Sequence, residues 1–180
     1  MTAPKTVLLA EDDENDAFLL MYAFKLAEVS NPLIVVRNGQ EAIWYLNAEG
    51  PYSDREKFPW PCVLLLDLKM PLMNGFDVLE WLKDPQHRKG LPVIVLSSSD
   101  EESDVQRAMA LGANAYRVKS CDFNKLALVV EELRVTCLDA AQIVEYQPSR
   151  QASKSQKLAR LLLFHILCLA IFACKNSLLW

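Results

Sequence analysis

Residues suited to phosphate chemistry directly follow four short apolar runs in this 180-residue chain. Acids follow two of the runs, and a hydroxyl and an ammonium group follow the others; the residues are Glu11, Asp12, Asp13, Asp67, Ser97 and Lys119. If the runs are parallel strands of one sheet, their carboxyl ends share the edge at which ligands bind. Such a set of groups suits a Mg²⁺-assisted transfer of phosphate onto a carboxylate.

The elements that must position these residues alternate between strand and helix patterns. Apolar residues between the runs recur at helical spacing, as in Ala17, Leu20 and Phe24. Uniformly apolar strands joined by helices indicate a parallel sheet that is covered on both faces. We therefore predict an α/β fold, a doubly wound five-stranded parallel sheet in the flavodoxin-like order 2-1-3-4-5. The predicted strands are residues 7–10, 33–36, 63–66, 93–96 and 115–118.

Each of these residues also has an ordinary structural interpretation. Acids at a helix N-terminus interact favourably with its dipole, and Asp13 or Asn15 can cap the first helix. Ser99 with Glu102 fits a capping box of a later helix, residue 67 fits a turn, and Lys119 fits a solvated strand end. Their joint placement at one sheet edge is what favours a site.

Four motifs resemble the receiver domain of two-component response regulators, over residues 5–138. They are Leu-Leu-Ala-Glu11-Asp12-Asp13, Leu-Leu-Leu-Asp67-Leu-Lys-Met70-Pro71-Leu-Met-Asn-Gly75, Val-Ile-Val-Leu-Ser97-Ser98-Ser99 and Gly112-Ala-Asn-Ala-Tyr116-Arg-Val-Lys119. The motif from Asp67 to Gly75 is the most specific of them.

The resemblance implies a role for each site residue. Asp67 would be the phosphoacceptor, and Mg²⁺ would be held by Glu11, Asp12, Asp67 and the backbone carbonyl of Lys69. Ser97 would turn its hydroxyl toward the phosphoryl group, Lys119 would pair with it, and Tyr116 would swing in behind Ser97. A half-buried strand aromatic is an equally good interpretation of Tyr116.

The chain departs from the family pattern after the lysine. Ser120 stands where the family usually has a proline in a cis peptide. A non-proline cis bond costs roughly 2.5–4 kcal/mol, so a trans bond is expected here. Ser97 in place of the commoner threonine keeps the hydroxyl.

The predicted function is a single-domain response regulator, similar to the stand-alone receivers that serve phytochrome-type sensor kinases. A sensor histidine kinase would phosphorylate Asp67, and output would run through protein contacts with a downstream protein or a second copy. It would assist its own phosphorylation without being a turnover enzyme. One alternative is a receiver that is not phosphorylated and acts as a binding module. A phosphohydrolase of the haloacid dehalogenase type is disfavoured, because Lys69 occupies the position of its second acid.

Composition narrows the partners and the compartment. A net charge of −4 argues against a general nucleic-acid surface, and no second helix-turn-helix pattern follows the receiver. Five cysteines form no Cys-x-x-Cys pair, which favours a reducing cytoplasm.

The C-terminal part has a different composition. We predict a receiver domain at residues 1–145 and a linker with an apolar tail at residues 146–180. Residues 161–174 are apolar apart from His165 and would reach about 21 Å as a helix, short of a ~30 Å hydrocarbon core. Burial on a dimer partner, contact with a membrane, an unstructured end and a late reading-frame change all stay open for it.

Overall fold

The computed structural model describes residues 5–120 and 122–134. The predicted domain boundary at residue 145 and the apolar tail lie outside the described residues. A membrane-spanning helix is not found within the described ranges.

The five predicted strands form one parallel sheet, in the order β2-β1-β3-β4-β5. This confirms the predicted doubly wound α/β fold. The fourth strand is one residue longer than predicted, because it includes Ser97. The strands are β1 (Val7–Ala10), β2 (Leu33–Val36), β3 (Val63–Leu66), β4 (Val93–Ser97) and β5 (Ala115–Val118).

Helices follow the strands along the chain. A 3₁₀ turn, Gly50–Tyr52, lies in the long loop after the second helix, and a helix of four residues precedes β4. The α-helices are α1 (Glu14–Leu26), α2 (Gly39–Asn47), α3 (Gly75–Trp81), α4 (Pro85–Arg88), α5 (Glu102–Ala110) and α6 (Phe123–Leu133).

Side chains of the central strands alternate between two cores. On one face, Leu64 and Leu66 of β3 pack with α2, α3 and α5. On the other face, Val63 and Leu65 pack with α1 and α6. All four side chains are fully buried, so each strand is held from both sides and the residues that follow it are fixed in position.

The start of α5 differs from the sequence prediction. Its N-cap is Glu101, and no side chain of the described residues caps it, so the predicted Ser99–Glu102 capping box is wrong. Ser99 instead donates its hydroxyl proton to a carboxylate oxygen of Asp104 at 2.7 Å. The hydroxyl is thereby bonded to a side chain in the first turn of α5.

The long loop at residues 48–61 is held by aromatic packing. The Tyr45 hydroxyl donates to the Pro59 carbonyl at 2.8 Å, and its ring lies 5.4 Å from the Tyr52 ring and 6.0 Å from the Phe58 ring. This loop therefore packs against α2.

Candidate functional site

Two neighbouring strands bring the acids together at the carboxyl edge of the sheet. Ala10 lies beside Leu66 in the β1–β3 register, so Glu11 and Asp67 follow adjacent positions. Backbone hydrogen bonds from Glu11 to Val36 and from Asp67 to Ala10 hold both residues in line with the sheet. Carboxylate oxygens of Glu11, Asp12 and Asp67 all lie within 4.8 Å of one another.

Asp67 is enclosed by its own loop. Only 4 % of the surface of Asp67 is exposed to solvent. One carboxylate oxygen accepts the Lys69 amide proton at 3.2 Å, and the other accepts a proton from Lys119 Nζ at 2.8 Å. Gly75 lies so close that an added Cβ would fall 2.2 Å from the Asp67 carbonyl oxygen. The glycine of the motif therefore allows the loop to close over Asp67.

Lys119 reaches the acids from the end of β5. Its Nζ lies 2.7 Å from Glu11 Oε2, 2.8 Å from Asp67 Oδ2 and 2.9 Å from Asp16 Oδ2. Its backbone N–H donates to the Ser97 carbonyl at 2.8 Å. No cis peptide bond occurs among the described residues, which include Ser120. Lys119 thus meets Asp67 without the family proline.

The three acids after β1 divide into two roles. Asp13 is the N-cap of α1, and its Oδ1 accepts the amide protons of Asn15 and Asp16 at 2.7 and 3.1 Å. These backbone hydrogen bonds hold the pKa of Asp13 below its ordinary value of 3.8. Glu11 is buried in the site and Asp12 is exposed beside it.

Asp16 is a site residue that the sequence analysis missed. It lies in the first turn of α1, and its half-buried carboxylate contacts Lys119. The available signal was its position in the first turn of the helix that directly follows the acids. It was hidden because an acid in a first helical turn is usually a partner of the helix dipole.

The pKa values of Glu11 and Lys119 are both raised, which favours the neutral form of the acid and the charged form of the lysine. Burial raises the pKa of Glu11 from 4.5 to about 7, although Lys119 opposes the shift. Burial alone would lower the pKa of Lys119, but hydrogen bonds to Asp67, Glu11 and Asp16 outweigh it and raise that pKa above 10.5. Lys119 is therefore a permanent cation, while Glu11 carries a proton in part of the molecules near neutral pH.

We expect the metal-free protein to lose stability as the pH rises from 4.5 to about 7. Below pH 4.5, Glu11 is protonated in the folded and the unfolded chain; between 4.5 and 7, only the folded chain holds the proton. The contribution of Glu11 to the free energy of unfolding is thus fully present below pH 4.5. It is lost as the pH rises to about 7, and the loss is on the order of 3 kcal/mol. Urea unfolding in the presence of a chelator measures this, and Glu11→Gln should flatten the slope. An equal slope in both proteins would contradict the assignment.

The hydroxyl side of the site is formed by the ends of β4 and β5. Ser97 is fully buried, and its Oγ accepts the Ser99 amide proton at 3.2 Å. The half-buried Tyr116 donates its hydroxyl proton to the Ser99 carbonyl at 2.8 Å. Ser99 thus touches both residues of the predicted switch. The swing of Tyr116 stays a prediction.

The donors present fit a small divalent cation. An octahedral Mg²⁺ shell with bonds of 2.0–2.1 Å separates its oxygens by about 3 to 4 Å, close to the spread of the three carboxylates. Lys119 offsets only one of their charges, so an excess of negative charge is left to attract a cation. The Lys69 carbonyl stays a predicted fourth ligand, and the Lys69 side chain is exposed.

A parallel 2-1-3-4-5 sheet with this acidic edge and a facing lysine defines the class of the protein. Residues 7–131 match the family model of the response regulator receiver domain, and the chain belongs to that family. Receiver domains work in two-component systems, and phosphorylation and Mg²⁺ are typical of the family.

Particular relatives place the chain near phytochrome-associated regulators. Response regulator Rcp1 of Synechocystis sp. is 33 % identical over 140 residues, which are 78 % of this chain and 93 % of Rcp1. The phosphorylated cyanobacterial phytochrome response regulator RcpA superimposes with a TM-score of 0.68 at 33 % identity, over 77 % of this chain and 96 % of RcpA. The Mn²⁺-bound form of Rcp1 superimposes with a TM-score of 0.66 at 31 % identity, over 81 % of this chain and 100 % of that structure.

Proposed function

We propose that a sensor histidine kinase transfers phosphate to Asp67 and that the phosphorylated protein signals through protein contacts. One observation carries the proposal: the buried Asp67 carboxylate lies among two further carboxylates and 2.8 Å from the Lys119 ammonium. Family membership and similarity to a phosphorylated phytochrome regulator support it. The proposed receiver unit is residues 1–145, with residues 146–180 as linker and tail.

Phosphoryl transfer requires a nucleophile and groups that offset the negative charges of the donor and the acceptor. An Asp67 carboxylate oxygen attacks phosphorus, a P–O bond forms as the P–N bond of phosphohistidine breaks, and the imidazole nitrogen takes back the electron pair and gains a proton. Mg²⁺ held by Glu11, Asp12 and Asp67 would reduce the repulsion between the anionic donor and the attacking carboxylate. Lys119 would pair with a phosphoryl oxygen as a point charge.

The response would start at the buried hydroxyl of Ser97. If Ser97 turns its hydroxyl toward the phosphoryl group, its Oγ moves relative to the Ser99 amide from which it accepts a hydrogen bond, and Tyr116 is bonded to the same Ser99. The charge added at Asp67 would thus shift the equilibrium of the loop after β4 between two conformations. The proposed partners are the kinase in the cytoplasm and a downstream protein or a second copy of the chain.

Labelling of the full-length protein tests the proposal. Incubation with a small phosphodonor such as acetyl phosphate and Mg²⁺ should add one phosphoryl group, and peptide mapping should place it on Asp67. A chelator should suppress the reaction, because the donor and the acidic edge then repel each other. Label on a different residue would contradict the assignment, and complete absence of label would favour the binding-module alternative.

A further inference from the structure

Four carboxylates at this edge are divided between two cationic positions. Glu11 and Asp67 belong to both, because each contacts Lys119 Nζ and each has an oxygen in the acidic cluster. Asp12 belongs to the cluster but makes no ion pair with Lys119. Asp16 pairs with Lys119 and lies outside the cluster. The last two residues therefore each serve only one of the two cationic positions.

We propose that Asp16 is a positioning residue, which holds the Lys119 ammonium through an oxygen outside the acidic cluster and leaves Asp12 to the divalent cation. This inference rests on the proposed function and deepens it, since it explains how one acidic edge accommodates an ammonium group and Mg²⁺ together. Asp16 acts through Lys119 and has no place in the reacting set.

The reason is competition for shared anions. A cation that takes oxygens from Glu11 and Asp67 draws them from Lys119, and the two positive charges also repel each other. Of the three described partners of the ammonium, only Asp16 keeps its oxygen entirely for Lys119. Asp16 thus offers the ammonium an anchor that does not compete with the metal.

The anchor is held by local structure. The Asp16 amide donates to the Asp13 cap at 3.1 Å, which fixes the first turn of α1 beside the site. The Asp16 side chain is 41 % exposed, whereas that of Lys119 is 17 % exposed. Beyond Lys119 the backbone has a serine, and the Asp122 amide donates to the Ser120 hydroxyl at 3.1 Å. The position of the ammonium therefore depends on side-chain contacts that Asp16 completes.

Paired variants of the full chain test the proposal. Asp16→Asn should weaken Mg²⁺ binding about three- to tenfold in an NMR titration, a size typical of a partly exposed charge pair. In the metal-free protein it should also abolish the slowly exchanging ¹H–¹⁵N signal of the Lys119 ammonium. Asp16→Glu should restore both. Glu14→Gln is the matched control, because Glu14 loses the same charge from the same helical turn while its partner is Arg37 at 3.4 Å.

A second background separates positioning from simple charge. With Lys119→Met, the further change Asp16→Asn should alter Mg²⁺ affinity no more than Glu14→Gln does, because the competitor is gone. Equal effects of Asp16→Asn with and without Lys119, or an unchanged ammonium signal, would overturn the proposal. If these results hold but no phosphodonor labels Asp67, the proposed function fails while the role of Asp16 stands.

Discussion

Asp67→Asn should abolish labelling by phosphodonors and leave the fold intact. The single amide oxygen can accept from Lys119 or from the Lys69 amide but not from both, so one contact of Asp67 is lost, while the fully buried side chains of β3 keep the fold. An amide is not a nucleophile for phosphorus, however, so the acyl phosphate cannot form. Intact-mass spectrometry after incubation with acetyl phosphate and Mg²⁺ measures the loss. Circular dichroism and thermal unfolding measure the fold.

Asp12→Asn is the comparison that gives this result its meaning. The variant loses one charge from the same cluster but keeps the acceptor, so we expect slow labelling that higher Mg²⁺ concentrations partly recover. Normal Mg²⁺ binding by Asp12→Asn would mean that Asp12 is not a ligand of the metal. Label that persists in Asp67→Asn would place the acceptor elsewhere.

The fold is predictable from sequence because the strand pattern allows few arrangements. Val63–Leu66 is apolar at every position, so helices must cover both faces of β3, and a neighbour is needed on each edge. Once β3 is central, parallel connections bring the residues after β1, β3 and β5 to one side. The meeting of Glu11, Asp67 and Lys119 then follows from topology and needs no side-chain detail.

What the sequence does not predict depends on local competition between hydrogen bonds. Ser99 and Glu102 have the spacing of a capping box, yet Asp104 takes the Ser99 hydroxyl. Asp16 has the appearance of a dipole partner until Lys119 is seen beside it. The partner of the Tyr116 hydroxyl could not be predicted either, because it is the Ser99 carbonyl of a neighbouring loop. The Asp16 and Tyr116 contacts join different segments of the chain, and the Ser99 contact is a choice between two nearby acids of α5.

Gly75→Ala should be the most disruptive small substitution near the site. The added Cβ would lie 2.2 Å from the Asp67 carbonyl oxygen and 2.8 Å from Leu68 Cα. Both are backbone atoms, and the Gly75 amide also donates to the Leu68 carbonyl at 3.1 Å. Moving either the Asp67–Leu68 backbone or the start of α3 would therefore disturb this contact. Overpacking of this kind costs roughly 1–3 kcal/mol or more, measured as the change in the free energy of unfolding in urea. Because the clash pushes on Asp67 itself, labelling should slow even in molecules that stay folded.

Gly90→Ala separates this clash from the general cost of replacing a glycine. Gly90 has φ +75° and no atom within 4 Å of an added Cβ, so alanine there meets only the left-handed backbone penalty of roughly 1–2 kcal/mol. Gly90 precedes the amino end of β4, whereas the acids follow the carboxyl ends of the strands, so Asp67 labelling should keep the wild-type rate. Gly75→Ala should therefore differ from Gly90→Ala in the labelling rate more clearly than in stability. If both variants label normally, the loop after Asp67 has room to move, and the close approach of Gly75 does not govern the position of the phosphoacceptor.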